Sequence, residues 1–279
     1  MVKYLIIFIL FTSQLFTNNL QKVNFAPLPM VKSQKLIEQY MPMLHYLEKK
    51  LNIKFNIIYA RDYDTLIDKL SRGQIDIAFL GPLPYVEATS RYPQIKPLVR
   101  FLDATGRDYY TCSMFRLKEH NITLDKITNR NFALTQKYST CGFLATQQIL
   151  NQYKTSLEKN NYIFIGSHTH AILEVILGKS DLGVAKSSIV DQYSHFKLKT
   201  VAKSDPFPSF LLVYQTQHIP TRTIEKIKEA LLALHPLSKS SDANITKLWG
   251  KNLKYGVVEA KDSDYDSIRN ILQSIELPQ

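Results

Sequence analysis

Three segments of this chain run from a short apolar strand, through small or polar residues, into a helical pattern. They are SRGQIDIAFLGPLPYVEA (residues 71–88), KYSTCGFLATQQIL (137–150) and GSHTHAILEVILGKSDLGVA (166–185). The first turn of a helix leaves backbone N–H groups without partners and carries the positive end of the macrodipole, so each segment reads as an anion site. In the second, Ser139 and Thr140 precede the helix, where their hydroxyls and the N–H groups behind them can converge on one tetrahedral anion. In the third, His168 offers a donor and, when protonated, a compensating charge. His170 falls elsewhere around that helix. The ordinary alternatives are helix capping for the hydroxyls and a surface or packing role for the histidine.

Reactive constellations are sparse. The chain has no nucleophile elbow, P-loop, HExxH or CxxC, and Cys141 with His168 is the one pair that could serve as nucleophile and base. An enzyme on the same architecture, such as a transferase acting on a phosphorylated substrate, would need a fuller set, so no catalysis is expected. The two cysteines, Cys112 and Cys141, show neither zinc-site spacing nor a disulfide framework. They read as inert small residues, with one disulfide permitted in an oxidising compartment. The formal net charge is +11, yet Lys and Arg are scattered in nothing longer than pairs. That excludes the concentrated footprint of a nucleic-acid binder and leaves solubility plus a mild attraction for anions. No metal and no cofactor are expected.

Elements able to position these residues alternate along the chain in an α/β pattern. Strands are expected at 23–28, 55–60, 75–80, 96–102, 109–116, 131–135, 162–166, 182–186, 200–204 and 209–216. Helices are expected at 33–51, 62–70, 82–91, 140–153, 168–177 and 221–234, each with an apolar stripe at helical spacing. With 279 residues and 45% hydrophobic content the chain can bury one sizeable core or two modest ones. Residues 98–115 and 200–215 are each a strand, a turn with Gly or Pro, and another strand, and they read as crossings between two lobes. The expected division is residues 21–105 with 207–279 as one lobe and 106–206 as the other, with a ligand between them at the carboxyl ends of strands. Asp76 and Asp181 occupy matching positions before two strands and read as turn or structural residues.

The N-terminus places Lys3 before an apolar run from Tyr4 to Phe11, too short to span a bilayer. Residues 1–20 read as an export signal. No small-x-small cleavage site stands out between Phe11 and Gln21, so the cleavage point and a retained tether both stay open.

In order and spacing, VNFAPLP, PMLHYLEKKLNIKFNIIYARDYDTLIDKLSRGQIDIAFLGPLPYVEA and SHTHAILEVILGKSDLG resemble the periplasmic phosphonate/phosphite/phosphate-binding proteins of ABC importers. The resemblance implies the two-lobe type II periplasmic binding protein fold with two hinge crossings. It implies a periplasmic monomer that binds a small phosphorus oxyanion and delivers it to an inner-membrane ABC permease. The alternative output is a signal of anion supply to a sensor kinase or chemoreceptor. The resemblance assigns ligand contacts to Tyr63 in ARDYDTL, to Tyr109 in GRDYYTC with Tyr110 the alternative, to Ser139, Thr140 and Cys141, and to Ser167 and His168. Members that take aminoalkylphosphonates hold the amine with carboxylates, whereas the matching neighbourhoods here read AKSSIV and PFPSFLLV, with Ser188 and Phe210 where acids are expected. A buried ammonium would find no partner there, which disfavours an aminated ligand. Cys141 in place of a serine would substitute a weak thiol donor for a hydroxyl.

Overall fold

The computed structural model describes residues 21–29, 33–275 and 277. The expected export signal at 1–20 lies outside them. The strands are β1 (Lys22–Ala26), β2 (Lys54–Ile57), β3 (Ile77–Leu80), β4 (Ile95–Phe101), β5 (Tyr109–Tyr110), β6 (Cys112–Leu117), β7 (Asn131–Leu134), β8 (Asn161–Phe164), β9 (Leu182–Lys186), β10 (Leu198–Lys203), β11 (Phe207–Pro208), β12 (Leu211–Gln215) and β13 (Val257–Glu259). The α-helices are α1 (Ser33–Leu51), α2 (Tyr63–Ser71), α3 (Pro82–Arg91), α4 (Ala145–Gln152), α5 (His168–Ile176), α6 (Ser187–Val190), α7 (Thr221–Leu232), α8 (Ser240–Thr246) and α9 (Asp266–Leu272).

These strands form two main sheets with one plan. The six-stranded sheet runs β13-β4-β12-β3-β1-β2 and the five-stranded sheet β10-β6-β9-β7-β8. In each, one strand, β1 in the first and β7 in the second, pairs in parallel on both sides, and the sheet continues through antiparallel neighbours. Parallel strands need crossover helices that cover both faces, which is why β3 is buried at all four residues. Asp76 and Asp181 hold matching places in the two plans. Asp76 accepts the Asn24 N–H at 2.7 Å and Asp181 the Asn131 N–H at 2.9 Å, each fastening the start of a central strand.

The chain passes between the sheets twice, and the two passages pair with each other. β5 and β11 form a short antiparallel ribbon with Phe207 opposite Tyr110 and Pro208 opposite Tyr109. This ribbon accounts for two departures from the sequence reading: the run 109–116 breaks between β5 and β6, and the strand expected at 209–216 begins only at Leu211, after β11. Further bonds pin the passages: Phe101 N–H donates to Phe210 O at 2.9 Å and Ser209 N–H to Asp108 O at 2.7 Å. Arg100, on β4, bonds both Asp108 in the first passage and Asp264 near the C-terminus. The sequence reading had no element beyond residue 234. There the chain forms α8, the three-residue edge strand β13 and α9, all too short to show a periodicity.

Cys112, at the start of β6, is bonded to Cys141, with the two Cα atoms 5.4 Å apart. The disulfide ties the loop before α4 to the adjoining sheet and leaves neither residue a free thiol. By restricting the unfolded chain it is expected to contribute about 2–4 kcal/mol. Thiol titration of the unreduced, denatured protein should therefore find no reactive cysteine, and reduction should lower Tm. Two titratable thiols before reduction would refute the pairing.

Candidate functional site

At the junction of the two sheets lies a small pocket of about 10 Å³, roughly the room of a single water molecule. Its walls come from both sides. The six-stranded side supplies Leu28, Tyr63, Gly81 and Pro84, the five-stranded side Ser139, Thr140, Cys141, His168 and Lys186, and the two passages Tyr110 and Phe210. No carboxylate is among them.

The loop at 139–144 is the main donor array. Ser139 caps a single π-helical turn over Thr140–Leu144 that runs into α4. Its Oγ accepts the Gly142 N–H at 3.3 Å, which leaves the hydroxyl hydrogen free. Thr140 Oγ1 accepts the Leu83 N–H at 3.1 Å across the junction, and its hydroxyl also bonds the Tyr110 side chain. The N–H groups of Thr140 and Cys141 carry no hydrogen bond among the described residues. Gly142 makes the tight turn possible, since a Cβ there would lie 2.6 Å from Thr135 Oγ1 and 2.7 Å from Gln136 O.

The start of α3 behaves differently from its sequence reading. Pro82 and Pro84 have no N–H, Tyr85 N–H is used by Gly81 O, and Leu83 N–H is taken by Thr140. This helix start is therefore a dock for the 139–144 loop rather than an anion site of its own.

His168 accepts the Lys186 N–H on Nδ1 at 3.1 Å. In the neutral ring that places the hydrogen on Nε2, so the imidazole remains a donor. Burial, and secondarily the Lys186 charge, lowers its pKa to about 4. It does not carry the compensating positive charge the sequence allows. That charge belongs to Lys186, the last residue of β9, which sequence reasoning passed over. Its ammonium lies 4.8 Å from the Tyr110 ring and 5.0 Å from the Phe210 ring, a cation–π arrangement. Phe210 stacks in turn between Tyr110 and Phe79, at 5.7 and 5.3 Å. Burial lowers the Lys186 pKa to about 8, with Asp103 opposing and Lys251 adding to that effect. The signal in the sequence was the lysine closing the strand in DLGVAK.

Burial pushes the Tyr63 phenol well above its ordinary range, with Tyr110 adding to it. Burial does the same for Tyr110. A side-chain bond with Thr140 opposes the rise at Tyr110, and both phenols remain protonated at neutral pH.

Of the residues singled out in the sequence, Tyr63, Ser139, Thr140, Cys141 and His168 meet at this pocket, and of the two hinge tyrosines the structure places Tyr110 there. Tyr109 is 42% exposed with the Arg107 guanidinium over its ring. Ser167 caps α5, accepting the His170 N–H, and lines an adjoining cleft instead. Cys141 has no thiol to donate or to attack with, so its backbone N–H is what it can offer, and the Cys141–His168 nucleophile pair does not exist. Phe210 lines the pocket and Ser188 the adjoining cleft, so neither neighbourhood brings a carboxylate.

The model of a family described as ABC transporter, phosphonate, periplasmic substrate-binding protein matches residues 25–265. The phosphate-import protein PhnD of Mycolicibacterium smegmatis is 26% identical over 281 residues, covering 90% of this chain and 85% of its own. Among solved structures, PhnD1 from Prochlorococcus marinus in complex with methylphosphonate superposes with a TM-score of 0.78 at 18% identity, covering 91% of this chain and 98% of that one. A binding protein component of an ABC phosphonate transporter from Pseudomonas aeruginosa reaches 0.74 at 17% identity, covering 91% and 86%. These likenesses agree on the two-lobe fold.

Lys186 gives the site a measurable cost. A lysine whose folded pKa lies below its ordinary 10.5 destabilises the folded state fully below the folded value and progressively less as pH rises towards the unfolded one. Without ligand, Lys186→Met is expected to raise Tm at pH 7 by about 2–4 °C for each kcal/mol recovered. The advantage should fade between pH 8 and about 10.5. A variant no more stable than the parent at pH 7 would show that the ammonium is not desolvated.

Proposed function

The chain belongs to the family of periplasmic substrate-binding proteins of phosphonate ABC transporters, and on that footing we propose that it closes two lobes on a small phosphorus oxyanion for delivery to an inner-membrane permease. Phosphate, phosphite and short alkylphosphonates are the candidate ligands. The observation that carries the reading is the pocket's composition. Two tyrosine hydroxyls, two aliphatic hydroxyls, two free backbone N–H groups, a neutral imidazole N–H and one ammonium converge where no carboxylate intrudes. Such a set satisfies a desolvated anion with charge-assisted bonds and offers an ammonium group nothing. Residues 1–20 would carry the export signal. The phosphate and methylphosphonate of the two relatives described above fall in the same class. The sensor-kinase or chemoreceptor output draws no support from the family or its relatives.

We take Tyr63, Tyr110, Ser139, Thr140, His168 and Lys186 as the contacts, with Cys141 acting through its N–H. Ser139→Ala and Thr140→Ala should each weaken phosphite or methylphosphonate binding by about 1.5–3 kcal/mol, since each removes a donor to a charged acceptor. Aminoethylphosphonate should bind far more weakly than methylphosphonate, because its ammonium meets Lys186. Calorimetry showing both variants unchanged, or the aminated ligand equal to methylphosphonate, would defeat these assignments.

The lobes are proposed as residues 21–105 with 207–279, and 106–206. Tyr63 comes from the first and Ser139, Thr140, His168 and Lys186 from the second, so an anion joins both donor sets only in a shut cleft. Entry of a tetrahedral ion larger than the present pocket requires the lobes to part. Shifting the lobe equilibrium from mostly open to mostly closed takes about 5.5 kcal/mol of differential binding, within the reach of several charge-assisted bonds. Small-angle scattering should show a smaller radius of gyration with saturating ligand, and Tyr63→Phe should reduce that compaction. Superimposable curves from free protein and from protein shown to be liganded would rule out the clamp.

A further inference from the structure

The inner pocket, water-sized as it stands, adjoins a far larger cleft of about 1130 Å³. Tyr63, His168, Lys186 and Phe210 line both, so they frame a route by which a substituent on phosphorus could leave the pocket. What that substituent meets is cationic. Lys186 ends β9 on the five-stranded side, and Lys251 faces it from the loop between α8 and β13 on the six-stranded side, close enough to help depress the Lys186 charge. Lys35 and Lys137 line the same cleft, and among the described residues none of these four lysines lies at ion-pairing distance from a carboxylate.

The acidic groups nearby are mostly committed elsewhere. Asp62 bonds Arg61 at 2.9 Å with one oxygen and the Thr65 N–H at 2.8 Å with the other. Asp103, the carboxylate that acts on Lys186, is held by Arg107 and by the Thr105 and Arg107 N–H groups. Asp64 is the remaining acid of the cleft wall and is exposed. Two ammonium groups facing each other from opposite lobes repel unless an anion lies between them, and a ligand that brings that anion gains from both.

We propose that the cleft is a second subsite, and that the preferred ligand joins its phosphorus oxyanion through a short organic chain to a further anionic group shared by Lys186 and Lys251. Phosphonocarboxylates and compounds bearing a second phosphoryl group have this chemistry; aminoalkylphosphonates do not. The inference rests on the phosphorus-oxyanion reading of the inner pocket and specifies what the rest of the ligand carries.

The test is calorimetry with matched pairs: phosphonoacetate against ethylphosphonate, 3-phosphonopropionate against propylphosphonate, and 4-phosphonobutyrate against butylphosphonate, with phosphite and methylphosphonate as head groups alone. At least one phosphonocarboxylate should bind tenfold or more tightly than its alkyl partner. In Lys251→Gln, an exposed loop substitution, that ratio should fall towards unity. Methylphosphonate binding together with ratios near unity for all three pairs would overturn the subsite and leave the proposed function standing. A tenfold ratio that persists in Lys251→Gln would also overturn it. Binding of phosphonocarboxylates where the head groups alone fail to bind would support it. No binding by any of these compounds would overturn both readings.

Discussion

An oxyanion taken out of water must have its lone pairs met from all sides, and here the donors sit on two separately built sheets. What lets them meet is the pairing of the two passages, β5 against β11. This short ribbon fixes Tyr110 and Phe210 at the floor of the pocket and sets how the two sheets face each other. Arg100, reaching from β4 to Asp108 and Asp264, anchors the same region to the six-stranded side. Few bonds join the sheets away from it. Among those that do, Leu83 N–H to Thr140 Oγ1 is the one made by the site itself.

The donors are of two electrostatic kinds. Tyr63, Tyr110, Ser139, Thr140, His168 and the loop N–H groups are neutral, with burial keeping both phenols protonated and the imidazole uncharged. Lys186 alone supplies a full positive charge to the inner pocket, resting on the faces of Tyr110 and Phe210 rather than on a carboxylate. Aromatic faces attract a cation without neutralising it, so the ammonium stays available to an incoming anion. Phe210 thus does more than withhold an acid. It takes part in the stack that supports the cation.

The same arrangement links selectivity to stability. A desolvated, unpaired ammonium weakens the empty protein and, as the proposed contact, would strengthen the filled one. The disulfide between Cys112 and Cys141 fastens the donor loop to its sheet, so the array is held in place before a ligand arrives. Preorganised donors lose little freedom on binding.

Much of this was legible in the residues. Alternating runs showed the α/β class, and α1, α3 and β9 occupy the residues their periodicity marks. Small polar residues ahead of helices pointed to Ser139, Thr140 and His168, because capping chemistry is local and a helix start announces itself in a few positions. Other features depended on residues far apart in sequence. Pairing of residues 109–110 with 207–208 decided that Tyr110, and not Tyr109, reaches the pocket, since neighbouring strand residues face opposite ways. Proximity of positions 112 and 141 turned two apparently inert cysteines into a disulfide. Prolines at 82 and 84 were visible, but that Thr140 takes the remaining N–H was not. The charge state of His168 and the role of Lys186 likewise followed from burial and from a backbone N–H eighteen residues away. Sequence alone determined which local elements and donors exist. The tertiary structure decided which of them converge, because a pKa, a disulfide and a shared pocket are each set by neighbours that only folding brings together.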